Sequence, residues 1–402
     1  MTTPSSKTNM LFNVISYLGM FSVGMTLGSL GSILVPISHT FHLRMAQVSF
    51  PVVFNSSGFL VGTLIISFAW RMTRARSFLT IFSIINAICM LMVFFWHTNF
   101  TLILTFLFIS GMAGAVIHSG LDSLFAELYP HDRSRALNFL HVFFGLGAFT
   151  GPFIIGTALA LSAPWYLAFL FMGLLCIPWP FLFVRRSLYH RIHALYASRL
   201  SDIRPRAGSL WSHPIFWVVF ATIFIYVGTE GCLTSWSGVF LNRARGLSAS
   251  FASYSVALIW MMIVVGRLIF SHIIRPKTLS LFLIIASLGN VVGTCLFFMI
   301  KSTYPEMFLI GLVGLNLSFM YPGLSALGGD LFPDLIGMVI GTLAASGTMG
   351  SIFFPWILGP LAERMSLARS VFIVPFLALF TAILLIFVYQ YQKKEAEKHP
   401  GK

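Results

Sequence analysis

The chain has 402 residues, of which 57% are apolar and only 9% are charged, and its mean hydropathy is +0.90. Soluble domains typically carry about 25% charged residues, so this composition excludes an ordinary water-soluble protein. The formal net charge of +14 would suit a nucleic-acid partner, but the positions of the basic residues indicate membrane topology instead.

Apolar runs of about 20 residues, the length that crosses a bilayer, recur along the whole chain. They predict an all-α membrane protein with twelve transmembrane helices. The predicted spans are 11–37, 46–70, 77–96, 101–129, 138–161, 165–184, 214–241, 249–274, 279–300, 307–332, 336–362 and 369–391. The first span is longer than the apolar core of a signal peptide, so we expect it to be retained.

The second half of the chain repeats the first at an offset of 203 residues. Glycines, prolines and one acidic position recur in register between residues 118–156 and 321–359. The matched pairs are Gly120 and Gly323, Glu127 and Asp330, Pro130 and Pro333, Gly147 and Gly350, Pro152 and Pro355, and Gly156 and Gly359. We predict two pseudo-symmetric six-helix halves, 1–184 and 214–402, joined by a cytoplasmic linker at 185–213.

The lysines and arginines fall mostly on one side of the predicted spans. Eighteen lie on the side that holds both termini, six of them arginines between 185 and 206, and six lie on the other side. Cytoplasmic loops carry this excess in membrane proteins. The pattern predicts cytoplasmic termini in a plasma or inner membrane, the lipid bilayer as a partner, and no nucleic acid.

A short basic loop follows the second span, and further charged residues lie at the same predicted side of the fourth, fifth and tenth spans. One interpretation is that this loop is basic only because cytoplasmic loops generally are. The other is a cytoplasmic gate in which acidic side chains pair with arginines. The gate residues would be Glu127, Asp330, Arg71, Arg74, Arg76, Arg133 and Arg135.

The fourth span places Asp122 in apolar surroundings, one helical turn from His118, and residues four apart share a helix face. A charge at the centre of a span costs roughly 2.5–3.5 kcal/mol, and such residues usually mark substrate or proton paths. We assign Asp122 to proton coupling and His118 to substrate binding, with structural pairing as the alternative. Asn138 and His141 share one face of the fifth span and are also predicted to bind substrate.

The seventh span contains a second acid, Glu230, one turn after Tyr226. Gly228 and Gly231 flank it and lower helix propensity, which indicates a span that breaks at a binding site. We assign Glu230 to proton coupling and substrate binding. Further predicted substrate-binding residues are Tyr226, Trp236, Asn316 and Tyr321.

Arg267, in the eighth span, supports a different interpretation of Glu230. It is the only lysine or arginine in the interior of any predicted span. Its charge could balance Glu230, which would then belong to a structural ion pair.

The sequence contains no nucleophile and base pair, metal-ligand cluster or phosphate-binding glycine loop in any predicted loop. The four cysteines lie within apolar runs, where a free thiol behaves as a small buried hydrophobe. We therefore expect no enzyme activity, cofactor, metal site or disulfide, and we expect a monomer.

Twelve spans in two halves with a long central linker resemble the major facilitator superfamily over the whole chain. Its signature after the second helix is of the type G-x-x-x-D-R-x-G-R-x-R. Arg71, Arg74 and Arg76 match the basic positions of this signature, while Trp70 and Thr73 replace its acid and its second glycine.

Three segments resemble the fucose permease family, which comprises fucose, glucose and galactose proton symporters. Residues 120–123, GLDS, are similar to its C-L-E-T-like helix four, and residues 138–148, NFLHVFFGLGA, to its N-L-A-Q-x-F-N-x-F-G-A. Residues 321–328, YPGLSALG, are similar to its Y-P-x-x-x-S-L-G. The resemblance implies a protonation role for Asp122 and sugar binding by Asn138 and His141, although His141 replaces the family's glutamine and no acid precedes Asp122.

These observations predict a secondary active transporter that couples protons to the uptake of a monosaccharide or similar small polar solute by alternating access. The alternative is a proton-driven multidrug or metabolite exporter of the same superfamily, since 42 phenylalanines and 18 methionines could line an apolar pocket.

Overall fold

The computed structural model describes residues 6–69, 75–129, 133–183, 207–273 and 278–398. Within these ranges the chain forms helices joined by turns and short loops, and no strand. The fold-class prediction, an all-α membrane protein, is confirmed.

Sixteen α-helices make up this part of the chain. They are α1 Ser6–Thr40, α2 Met45–Val48, α3 Phe50–Ala69, α4 Ala75–Phe95, α5 Phe100–Leu128, α6 Arg133–Ala160, α7 Tyr166–Cys176, α8 Pro178–Phe183, α9 Pro214–Arg243, α10 Ala249–Ile273, α11 Leu279–Met299, α12 Thr303–Leu317, α13 Met320–Leu331, α14 Ile336–Met365, α15 Leu367–Ser370 and α16 Ile373–Lys398. Two short 3₁₀ helices, Ala207–Ser212 and Pro333–Leu335, precede α9 and α14.

Eleven helical segments of the described chain are long and apolar enough to cross a membrane. The sixth predicted span, 165–184, is instead a shorter apolar helical segment, Tyr166–Phe181. It is divided at Ile177, between α7 and α8. Pro178 and Pro180 explain the division, because proline removes a backbone hydrogen bond and clashes with the preceding helical turn.

The described helices form two compact units. The first unit contains 1–43, 50–203 and 248–260, and the second contains 44–49, 204–247 and 261–402. The start of α10 thus packs with the first unit and α2 with the second. The predicted division at 185–213 stays a prediction, since residues 184–206 lie outside the described ranges.

Both units contain the same close approach between two helices. In the first unit, a β-carbon added to Gly147 on α6 would lie 2.0 Å from the carbonyl oxygen of Phe21 on α1. In the second unit, a β-carbon on Gly350 of α14 would lie 2.0 Å from the carbonyl oxygen of Phe224 on α9. Each residue lies 203 positions after its counterpart, so the repeat found in the sequence is also a repeat in packing. Small residues allow such backbone contact between membrane helices.

Gly147→Ala is therefore expected to destabilise the protein. The new methyl group would overlap a backbone carbonyl, which cannot rotate away, and forced overpacking costs about 1–3 kcal/mol or more. The melting temperature of detergent-purified protein measures the effect. Gly341→Ala is the matched control, because a β-carbon there has nothing within 4 Å. Equal melting temperatures for the two variants would contradict this packing.

The seventh predicted span does not break at its acidic residue. Helix α9 runs without interruption from Pro214 to Arg243, so the inference of a break near Glu230 was wrong. The flanking glycines serve packing instead: a β-carbon at Gly228 would overlap the ring of Phe354, and one at Gly231 would lie 3.3 Å from Pro355. Of the seventh and tenth spans, the tenth is interrupted, because α12 ends at Leu317 and α13 begins at Met320.

Candidate functional site

The first unit brings together three polar side chains from α5 and α6. His118 Nδ1 lies 3.2 Å from Asp122 Oδ2, and His141 Nε2 lies 3.2 Å from Asp122 Oδ1. The pairing of His118 with Asp122 follows from their spacing of four residues on α5. His141 joins them from α6. These three residues are called the His–Asp–His cluster below.

Aromatic rings surround the His–Asp–His cluster. Phe59 on α3 and Phe144 on α6 both lie edge-on to His118, with ring centroids 5.9 and 5.6 Å away. The three cluster side chains are between 22% and 30% exposed, so the cluster is partly accessible. Asp122 Oδ1 itself is buried and makes no well-aligned hydrogen bond, although His141 lies beside it.

Trp260 on α10 extends this aromatic shell. Its ring lies edge-on to Phe144, with centroids 6.1 Å apart, and the residue is 4% exposed. Its indole N–H is buried and finds no hydrogen-bond acceptor in the part of the chain that the structure describes. An unsatisfied buried donor is costly, so this group is a candidate for donating a hydrogen bond to a bound solute.

Asn138 lies one turn before His141 on α6, and its side chain is exposed. The two residues thus share a helix face as predicted from their spacing, but only His141 lies in the cluster with Asp122.

The second unit builds its polar site around the break in the tenth span. Pro322 lacks the N–H that would bond the Ser318 carbonyl group in a continuous helix. Instead, Nε of Arg267 on α10 donates a hydrogen bond to the Ser318 carbonyl oxygen at 3.2 Å. Backbone groups freed by a broken helix are a common element of transporter binding sites.

Tyr226 and Glu230 lie beside this break. The hydroxyl group of Tyr226 makes a short hydrogen bond with the carboxyl group of Glu230 and lies 3.1 Å from the Leu317 carbonyl oxygen. Arg267 is close enough for its charge to act on both Tyr226 and Glu230. The structure therefore brings together Tyr226, Glu230 and Arg267. From the sequence, Tyr226 and Glu230 were expected one turn apart on one span, and Arg267 was a possible counter-charge on another.

Three other predicted substrate-binding residues occupy different environments. Trp236 is 1% exposed, and its indole N–H donates to the Pro355 carbonyl oxygen at 3.0 Å. The Asn316 amide packs against Gly289 of α11, where a β-carbon would lie 2.7 Å from its nitrogen. Tyr321 is half-buried at the start of α13.

The predicted gate is only partly visible. Arg71 and Arg74 lie outside the described residues, as do the side chains of Arg76, Glu127 and Arg133. Arg135 is exposed on α6. Asp330 is exposed at the end of α13, where it lines a cavity of about 340 Å³ with Lys393 and Gln392.

A buried ion pair in the second unit was not predicted from the sequence. Arg245 Nε donates to Glu306 Oε1 at 2.7 Å, and its second terminal nitrogen donates to the carbonyl oxygens of Phe298 and Ile300 at 2.8 and 2.9 Å. Glu306 is 2% exposed. With all these partners in place the pair connects the end of α11 to the start of α12, and its role is structural. The sequence offers one indication of this pair, because Arg245 and Glu306 carry opposite charges and lie near the ends of the seventh and tenth predicted spans.

The eleven long apolar helices of the described residues define a multi-pass integral membrane protein. The Major Facilitator Superfamily model matches residues 16–289, which is more than half of the chain. The protein belongs to the Major Facilitator Superfamily.

Relatives and solved structures agree with this membership. The chain is 21% identical over 360 residues to the glucose/mannose transporter GlcP of Bacillus subtilis (strain 168), covering 86% of each chain. It is 22% identical over 352 residues to protein TsgA of Salmonella enteritidis PT4, covering 87% of each. The crystal structure of a D-xylose-proton symporter aligns with a TM-score of 0.74 at 13% identity, over 94% of this chain and 97% of that one. That likeness establishes the fold.

Proposed function

We propose that the protein is a proton-coupled symporter for a monosaccharide or a similar small polar solute, working by alternating access as a monomer with both termini in the cytoplasm. The proposal of proton coupling rests on one observation, which is the arrangement of Glu230, Tyr226 and the Leu317 carbonyl group. A phenol has one hydrogen to donate. If the Glu230 carboxyl group carries a proton, it donates to the phenol oxygen while the phenol donates to the Leu317 carbonyl group, so both contacts are full hydrogen bonds.

Asp122 is the second proton-coupling residue of the proposal. Two imidazoles lie 3.2 Å from its oxygens, and imidazole is the side chain best suited to exchange protons near neutral pH. A proton that enters down the membrane potential supplies about 2.3 kcal/mol per 100 mV, which is the energy available for concentrating a solute.

The proposal of a sugar-like solute is supported by the chemistry of the first unit's polar groups and by the comparisons. Asn138, His141, His118 and the indole N–H of Trp260 offer donors and acceptors that suit sugar hydroxyls, together with aromatic surfaces that suit the apolar face of a sugar. The similarity to the glucose/mannose transporter GlcP and to the D-xylose-proton symporter supports a sugar, as does the resemblance to fucose permeases. In the second unit, Glu230, Tyr226, Asn316 and Tyr321 complete the proposed set. Trp236 is not included, because its indole N–H already donates to the Pro355 carbonyl oxygen.

We also propose that Glu127 and Asp330 form the cytoplasmic gate with Arg71, Arg74, Arg76, Arg133 and Arg135. Ion pairs near water contribute only about 0–1 kcal/mol. A gate of this strength can open at each transport cycle.

Counterflow in proteoliposomes tests the proposed function. Vesicles preloaded with unlabelled glucose, mannose or xylose are diluted into the labelled sugar, and protein-free vesicles give the background. We expect transient accumulation of at least one sugar. Efflux of a lipophilic cationic dye from the same vesicles tests the exporter alternative. Dye efflux without counterflow of any sugar would contradict the proposal.

Two of the buried tryptophans, Trp260 and Trp236, give a matched test of the solute site. Trp260→Phe removes an indole N–H that has no acceptor in the described residues, so it should leave the melting temperature nearly unchanged. The loss of one hydrogen bond to the solute should weaken its binding free energy by about 0.5–1.5 kcal/mol. Trp236→Phe removes the donor to Pro355 and should lower the melting temperature. Isothermal titration and thermal denaturation measure both variants, and an unchanged affinity in Trp260→Phe would remove Trp260 from the site.

A further inference from the structure

We propose that the His–Asp–His cluster binds a borderline divalent transition-metal ion such as Zn²⁺ or Co²⁺. Among the described residues, His118, Asp122 and His141 each present one ligand atom, and these atoms lie within 4.8 Å of one another. No metal-ligand spacing is visible in the sequence, because the third ligand comes from a different helix. The cluster is assembled only when α5 packs on α6.

The distances suit a metal ion. Both imidazole nitrogens lie 3.2 Å from an oxygen of Asp122. In a tetrahedral zinc site with bonds of roughly 2.0–2.1 Å, neighbouring ligand atoms are about 3.3 Å apart. Each of the two separations matches the spacing of neighbouring ligand atoms around a coordinated ion, and they involve different oxygens of Asp122. The three ligand atoms lie within 4.8 Å of one another, so side chains must shift for one ion to contact all three.

The ligand types select the class of metal. Two imidazoles and one carboxylate suit zinc, cobalt, nickel and copper ions, whereas magnesium and calcium prefer sites made wholly of oxygen ligands. Three protein ligands also leave a fourth position open, as in zinc sites that exchange water or another ligand. The partial exposure of all three side chains gives an ion a route to them.

The surroundings of the cluster are consistent with a single bound ion. Phe59 and Phe144 hold the His118 ring edge-on, and the rings of His118 and His141 lie 5.1 Å apart. The buried Asp122 Oδ1 lacks a well-aligned hydrogen bond and is available as a ligand atom. The ion would use the atoms that the proposed function assigns to proton coupling, so the metal should also inhibit transport.

Metal titration of the purified protein tests this site without requiring any transport activity. The protein is purified through a tag that contains no histidine, because a polyhistidine tag would bind the same ions. Zn²⁺ binding is followed by isothermal titration, and Co²⁺ binding by its visible absorption, which reports the ligand geometry. The site variants are His118→Gln and His141→Gln. His97→Gln is the matched control, since His97 belongs to the same unit but stacks on Tyr166 at 3.7 Å.

We expect one saturable ion per chain in the natural protein and in His97→Gln. Each site variant should bind at least tenfold more weakly, since even the loss of an outer partner of a metal ligand costs 10–100-fold. Size-exclusion profiles and melting temperatures show whether each variant is folded, and Asp122→Asn is the second variant if either glutamine variant is not. No saturable binding to the natural protein, or equal affinity in the site variants and the control, overturns the inference. Neither result bears on sugar counterflow, so the proposed function stands or falls separately.

Discussion

Asp122→Asn is expected to abolish uphill, pH-driven uptake of the solute while leaving counterflow intact. Asparagine keeps the size and shape of the side chain and can still contact His118 and His141, which lie 3.2 Å from the carboxylate oxygens. It cannot carry a proton. Counterflow exchanges solute for solute and needs no net proton movement, so it should survive.

Proteoliposomes with an imposed proton gradient measure the uphill mode, and the same vesicles without a gradient measure counterflow. Glu397→Gln is the matched control, because it also removes one carboxylate but at an exposed position near the end of α16. The control should retain both modes. An asparagine variant that still concentrates solute under the gradient would contradict the coupling role of Asp122.

The helices and the repeat could be predicted from the sequence because both depend on local physical requirements. A bilayer about 30 Å thick demands apolar segments of about 20 residues, and such segments are visible in a single sequence. The repeat was visible because backbone contacts tolerate no side chain larger than glycine. Phe21 with Gly147 and Phe224 with Gly350 make that contact in the two units.

The polar sites could be predicted only in part because their members meet across helices. The proximity of His118 and Asp122 could be predicted from their spacing, since both lie on α5. The addition of His141 depends on how α5 packs against α6, and the joining of Arg267 to Glu230 depends on where the tenth span breaks. Trp236 had the residue type of a sugar-binding aromatic, but its position on α9 places it against Pro355.

The sequence did not show which of the two spans, the seventh or the tenth, would be interrupted. Glycines near Glu230 and a proline after Ser318 both weaken a helix. Glycine costs a helix interior about 1 kcal/mol, whereas proline costs about 3 kcal/mol. The glycines are also compensated by close packing against Phe354 and Pro355, so α9 stays continuous and the tenth span is the one that breaks.

Glu230→Gln is expected to weaken solute binding more than Asn138→Ala does. Once Glu230 has released its proton it is charged, and losing a hydrogen bond to a charged partner costs about 1.5–3 kcal/mol, against about 0.5–1.5 kcal/mol for a neutral one. The expected losses of affinity are therefore roughly tenfold to a hundredfold for Glu230→Gln and at most about tenfold for Asn138→Ala. Isothermal titration with the solute identified by counterflow measures both.

The glutamine variant is informative because it should preserve the local structure. Its amide group can donate to the Tyr226 oxygen, so the phenol remains free to donate to the Leu317 carbonyl group, 3.1 Å away. Tyr226→Phe is the companion variant, since it removes the donor to the Leu317 carbonyl group and leaves the carboxyl group of Glu230. If Glu230→Gln lowers the melting temperature but leaves solute affinity unchanged, then Glu230 is the structural partner of Arg267. The solute site would in that case be formed by the first unit's Asn138, His141 and Trp260.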